Sequence, residues 1–185
     1  LGRSPFYPQN HGSYVVDILH QSGVGFQLLP VRYPRPDMAL MGDVVDWLAA
    51  QNASIVMMPL GSQSPDDWTY FFEAAERHPE ILFIISAGNN VVDLGELPIY
   101  PAENALYNAI TVTSTMLDGR LADGSNFGKA VDIGLPAENL LTIGVNAHQR
   151  MMSGSSFAVP KLTAYAICIS NAARPNRLTG KALAQ

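Results

Sequence analysis

The sequence predicts an α/β domain built on a mostly parallel sheet. Two observations carry that prediction. Short apolar runs of strand length alternate with segments whose apolar residues recur at helical spacing. Strands separated by helices in this way form a parallel sheet covered on both faces. A third observation sets the scale: 185 residues that are 48% apolar suit one domain with a substantial core.

Taken in order, "GFQLLPVR" at 25–32 predicts a short buried strand. "DVVDWLAAQ" at 43–51 places apolar residues at 44, 45, 47 and 48, one helical face. "SIVMM" at 54–58 has strand length, and "SPDDWTYFFEAAERH" at 64–78 carries helix-start signals. Ser64 is a capping residue there, Pro65 takes the first position, and Asp66 and Asp67 face the positive dipole end. "ILFII" at 81–85 is an uninterrupted β-rich run, and "AITVTS" at 109–114 and "VDIGL" at 131–135 give two more strands. A last helix covers 156–172. No repeat, linker or low-complexity segment divides the chain, so residues 1–185 form one domain. The first residues, "LGRSPFYPQNHG", read as a cut inside a larger protein, and "RLTGKALAQ" as the start of a further helix.

Composition excludes several classes. A net charge of −5 without a basic cluster argues against nucleic-acid binding. No apolar run approaches the roughly 18 residues of a membrane span. The single cysteine, Cys168, rules out an internal disulfide and a cysteine-rich zinc site, and its apolar surroundings predict a buried thiol. No cofactor is expected. The compartment stays open.

In parallel sheets the functional site forms beyond the carboxyl ends of the strands. The residues found there are "PLGS" at 59–62, "SAGNN" at 86–90 and a long loop that runs from 135 to Ser156. His11 in "NHGSYVVDIL" opens a helix, with Val15, Val16 and Ile18 on the buried side. The positive field of a helix N-terminus favours a neutral imidazole, the form a general base needs. A carboxamide at Asn89, in a turn after a buried strand, can donate to a developing oxyanion. Ser156 begins a helix, so its backbone N–H can be a second donor. Each feature alone has an ordinary structural reading: a surface histidine, a turn asparagine, a capping serine. His20, His78 and His148 receive that reading.

The order of the segments is more specific than any one of them. "HGSYVVDIL", "MPLGS", "ISAGN", "YPAENALYNAITVTST", "SNFGKAVDIGLPAENLLT" and "SGSSFAVP" follow one another along nearly the whole chain. Together they resemble the subtilisin-like serine peptidases, or subtilases, with their HGTHVAG, SLGG, AAGN, YPA, SNYG and GTSMATPH motifs. The 67 residues between Asn89 and Ser156 match the usual family distance.

That resemblance implies a subtilisin-like three-layer fold and a serine endopeptidase acting on peptide or protein substrates. It implies Ser156 as nucleophile, His11 as general base and Asn89 as oxyanion donor. It makes Pro59, Leu60 and Gly61 the strand that pairs with substrate, and Ser86, Ala87 and Gly88 one wall of the pocket for the residue before the scissile bond. The other flank of the substrate should pass near Ala39 to Gly42.

The sequence departs from the family in one large respect. The family triad needs an aspartate in an Asp-[Ser/Thr]-Gly turn upstream of the histidine. None of the ten residues before His11 is acidic, and that motif occurs nowhere else. Asp17 follows His11 by six residues, and six steps of about 100° put it on the wrong face of the helix. The sheet is therefore expected to be incomplete on its N-terminal side, with an upstream segment or a second chain supplying the aspartate-bearing strand. Smaller departures are Pro59, Ser62, Tyr14 and Lys161 in place of family residues. The short span after His11 leaves no room for the family's calcium loop, so no metal is expected. Two rivals stand beside this reading. A lipase-like esterase would place its histidine after the serine, and none follows Ser156. A catalytically inactive subtilase fold could serve as a binding or scaffolding module.

Overall fold

Parallel pairing of buried strands organises the protein. The computed structural model describes residues 10–172. Four strands, β1 (Ile55–Met58), β2 (Leu82–Ser86), β3 (Ala109–Thr115) and β4 (Ile133–Pro136), lie in the order β1-β2-β3-β4, all parallel. The register runs from Ile55 opposite Leu82 to Met58 opposite Ile85, and β2 continues with Phe83 opposite Ala109. The β-branched and apolar run of β2 is buried on both faces, as a central parallel strand requires.

Alternation along β2 divides the core in two. Phe83, Ile85 and Ala87 join the cluster under α2 (Leu40–Ala50) and α3 (Thr69–Arg77), with Trp68 and Phe71. Phe71 meets Phe83 edge-on at 5.2 Å between ring centroids. Leu82 and Ile84 face the other way, toward α1 (His11–Gln21) and α4 (Ser155–Ala172), where they meet Val15, Ile18, Phe157 and Leu162. Helix α4 crosses all four strands and packs against α1. The result is three layers, helices on both sides of a parallel sheet.

Most predicted elements hold within a residue or two, but four differ. Residues 25–32 form no strand: they run as exposed coil, with Leu28, Leu29 and Val31 each 40–43% exposed. A strand exists only where a neighbour can pair with it, and among the described residues β1 pairs on one side alone, with β2. The helix from 64 opens as a 3₁₀ turn, Pro65–Trp68, before α3 begins, and Ser64 makes no side-chain cap bond. In α1, Tyr14 is buried and Val16 only half-buried. Cys168 is exposed rather than buried, since it shares the outward face of α4 with Tyr165 and Ile169. The predicted helix at the C-terminal end and the first nine residues lie outside the described residues.

The stretch between β4 and Ser156, a long loop by its sequence, folds into an antiparallel hairpin, β5 (Leu140–Ile143) and β6 (Gln149–Met152). Its tip places Asn146 and Ala147 at positive φ. The carboxylate of Asp17 accepts from the Ile143 amide at 2.8 Å and from Gln21 Nε2 at 2.6 Å. The residue is thus occupied at the hairpin.

Candidate active site

The carboxyl ends of β1 and β2 and the N-termini of α1 and α4 meet on one side of the sheet. After β1 the chain passes through Pro59, Leu60 and Gly61, all half-buried. After β2 it passes through Ala87 and Gly88 to Asn89, which is exposed. Ser156 sits in the first turn of α4, half-buried, while Ser155, Phe157 and Ala158 around it are buried. Its Oγ lies 3.4 Å from the Pro59 carbonyl. His11 is the first residue of α1, and its ring stands 5.6 Å from the ring of Phe157, next to Ser156. Burial pushes the His11 pKa below its ordinary value of 6.5. The helix N-terminus acts in the same direction.

Asn89 has a defined orientation. Its Oδ1 accepts from the Ser155 amide at 2.8 Å and from Ser155 Oγ at 3.0 Å. With the carbonyl oxygen bonded to Ser155 at the start of α4, the Nδ2 group of this exposed side chain is the donor that remains. Gly154, at φ 117°, permits the contact: a Cβ there would meet Asn89 Oδ1 at 2.8 Å and Nδ2 at 3.2 Å.

The turn that carries Asn89 is wrapped around Asn126, which is fully buried. Asn126 Nδ2 donates to the Ala87 carbonyl at 2.8 Å, and its Oδ1 accepts from Asn90 N at 2.8 Å and Val92 N at 3.3 Å. Gly88, at φ 96°, passes so close that a Cβ would stand 2.6 Å from Asn126 Nδ2. Sequence reasoning picked out Asn89 and Ser156 but missed Ser155 and Asn126. Ser155 was visible only as a small residue before the serine of interest. Asn126 lies in the quoted "SNFG" stretch with no sign of what it would hold.

The remaining assignments separate cleanly. Ala39 precedes α2 and Gly42 lies in its first turn, where a Cβ would press on the Tyr70 carbonyl at 3.2 Å. Ser62 uses its side chain internally: Oγ donates to Asp67 at 3.1 Å and accepts from Trp68 Nε1 at 2.9 Å. His78 bonds Asp46 at 2.8 Å and Glu80 at 3.0 Å, and His20 and His148 are exposed. An open cleft of about 590 Å³ between residues 31–35 and α2 contains Tyr33, Arg35 and Trp47, but none of the residues around Ser156. Among the described residues no cluster of His, Cys, Asp or Glu is arranged to hold a metal, and no helix is long and apolar enough to cross a membrane.

Comparison with known proteins finds relatives in sequence and in fold. The model of the subtilase family matches residues 10–185. Alkaline protease 1 of Aspergillus flavus is 31% identical over 144 residues, covering 74% of this chain and 34% of that protein. The minor extracellular protease Epr of Bacillus subtilis is 28% identical over 153 residues, covering 82% of this chain and 21% of that protein. The chain thus spans about a third or less of the length of these relatives. The crystal structure of a cold-adapted subtilisin-like serine proteinase superposes with a TM-score of 0.64 at 28% identity, over 77% of this chain and 50% of that one. A lanthipeptide protease shares the fold at a TM-score of 0.77 and 16% identity, over 96% of this chain and 66% of that one.

Proposed function

This chain belongs to the subtilase family of serine peptidases, and from that premise we propose that it carries the nucleophile, base and oxyanion donor of a serine endopeptidase. Ser156 Oγ attacks a peptide carbonyl while His11 takes its proton. The protonated His11 then delivers that proton to the leaving amine, and water attacks the acyl-serine with the same base assisting. Asn89 Nδ2 and the Ser156 N–H stabilise the tetrahedral oxyanion. The substrate backbone lies along Pro59, Leu60 and Gly61. Pro59 has no N–H, so its carbonyl is its one backbone contribution. Ser86, Ala87 and Gly88 wall the adjoining recess.

The observation that supports this reading most is the pair of hydrogen bonds that Ser155 N–H and Oγ donate to Asn89 Oδ1. It fixes the orientation of the Asn89 carboxamide beside the start of α4. Such a donor is catalytic because it costs no reorganisation when charge develops.

His11 also needs a carboxylate to fix its tautomer and stabilise its charge. We place that group on a strand running along the edge of β1 that no described residue pairs with. Ile55, Val56 and Met57 are only half-buried there, and the apolar coil 25–32 lies exposed. A strand from an upstream segment or a second chain would pair with β1 and cover both. Asp17 does not serve, being held by Gln21 and Ile143. The alternative, an inactive fold used for binding, draws on that same incompleteness.

The deciding experiment measures peptide hydrolysis by the intact protein against Ser156→Ala. Loss by about 10⁶-fold is expected, the cost of removing the nucleophile in subtilisin, a member of this family. Unchanged hydrolysis by Ser156→Ala would remove Ser156 from the mechanism. Absence of hydrolysis in both would favour the binding module.

A further inference from the structure

Asp17 stands on the helix that presents His11, yet its side chain is engaged by the hairpin that leads into Ser156. We propose that Asp17 is a positioning residue: with Gln21 it clamps α1 to β5 and so fixes the separation of base and nucleophile, a role that rests on the peptidase reading above. One oxygen, Oδ2, accepts from the Ile143 amide at 2.8 Å and from Gln21 Nε2 at 2.6 Å. Gln21 Nε2 donates in turn to the Leu141 carbonyl at 3.0 Å. Residues 141 and 143 turn these groups to the same edge of β5, the edge away from β6. Asp17 and Gln21, four apart on one face of α1, therefore supply the acceptor and donor that a third strand would.

Much of the hairpin stands in water. Leu141, Ile143 and Met151 are 51%, 46% and 59% exposed, while Leu140 and Met152 on the inner face join the core beside α1 and α4. Tyr14 adds a steric stop from the same helix: a Cβ on Gly144 would stand 2.8 Å from its Cζ. Gly144 has φ −93°, which any residue adopts, so its lack of a side chain answers to the Tyr14 ring rather than to the backbone. The base of the hairpin is closed by Gly154 N, which donates to the Ala137 carbonyl at 3.0 Å, and by Asn139 N, which donates to Ser153 Oγ at 2.9 Å. From there the chain enters Ser155, which holds Asn89, and then Ser156.

His11 and Ser156 approach each other from different elements, the first turns of α1 and α4. A hairpin free to swing on its base would carry Gly154 and Ser155 with it, relative to α1. Displacing a reacting group by about 1 Å costs up to about 10²-fold in rate. Asp17 acts on His11 through α1 and on Ser156 through the hairpin, so its loss falls on kcat rather than on substrate binding.

The test uses the intact protein, with kinetic constants expressed per Ser156 site titrated by a fluorophosphonate, so that a variant that only folds less well is not scored as slow. Asp17→Ala should lower kcat about tenfold and leave KM within about twofold. Asp17→Asn keeps one oxygen able to accept from both Ile143 N and Gln21, and should restore kcat to within about threefold of wild type. Amide hydrogen exchange at Ile143 should quicken in Asp17→Ala and stay slow in Asp17→Asn. Asp17→Ala with unchanged kcat per site overturns the role and leaves the peptidase reading standing. Asp17→Asn as slow as Asp17→Ala does the same, since the charge and not the clamp would then matter. Should Asp17→Ala not fold, Gln21→Ala decides: it removes the bond to Leu141 and should lower kcat about threefold, and an unchanged kcat overturns the role. Wild type that neither labels nor hydrolyses removes the peptidase reading, and the positioning role with it.

Discussion

Asn89 illustrates how a residue acquires a role from its neighbours. Its oxygen is held by two donors of Ser155, and Gly154 leaves the room for that contact. Asn89→Ala should lower kcat by about 10²–10³-fold, the range measured for the corresponding donor in subtilisin. Gly154→Ala should lower kcat with little change in KM, because its Cβ would drive the carboxamide off its bonds; steady-state kinetics separate the two constants. His11 gives a test in pH. Burial disfavours its charged form, so its folded-state pKa lies below 6.5. The unfolded chain takes up that proton first as pH falls, so the stability His11 contributes is present above about 6.5 and lost below it. An NMR titration of the His11 ring should show a midpoint below 6.5, and a midpoint above it would mean a nearby charge outweighs burial.

Elements position these residues, and the sequence announced most of them. Four apolar runs of strand length gave β1 to β4 nearly in full, because a strand buried on both faces must be apolar throughout. A fifth, 25–32, is apolar at Phe26, Leu28, Leu29 and Val31 but finds no strand partner among the described residues, so an apolar run was insufficient. The β5–β6 hairpin was hidden for the opposite reason: its residues are largely exposed and carry little apolar pattern. One polar side chain joins elements in a way no pattern announces. Asn108, fully buried, points Nδ2 at the carbonyls of Ala75, His78 and Ile81, each within 3.1 Å, and so ties the end of α3 to the start of β2. Removing it takes one donor from each carbonyl, of which those of Ala75 and His78 keep a backbone N–H partner. Asn108→Ala should cost roughly 1–3 kcal/mol of stability by urea denaturation. An unchanged midpoint would mean that water or relaxation replaces the amide.

At the scale of the whole molecule, the order of short segments was legible because a parallel fold fixes which loops meet. The carboxyl ends of neighbouring strands share one side of the sheet, so residues far apart in sequence are neighbours in space. That rule pointed to the loops, and the family resemblance carried by the order of segments then selected Ser156, His11 and Asn89. Ser155 and Asn126 could not be selected so, since each makes its contacts only after folding. The claim on which the rest depends is that Ser156, and no adjacent hydroxyl, is the nucleophile activated by His11. Its most direct test is to treat the intact protein with a fluorophosphonate, digest it, and locate the adduct by mass spectrometry. The account predicts one adduct, on Ser156, that disappears in Ser156→Ala and is strongly reduced in His11→Ala. An adduct on Ser155, labelling that survives Ser156→Ala, or labelling indifferent to His11→Ala would contradict it.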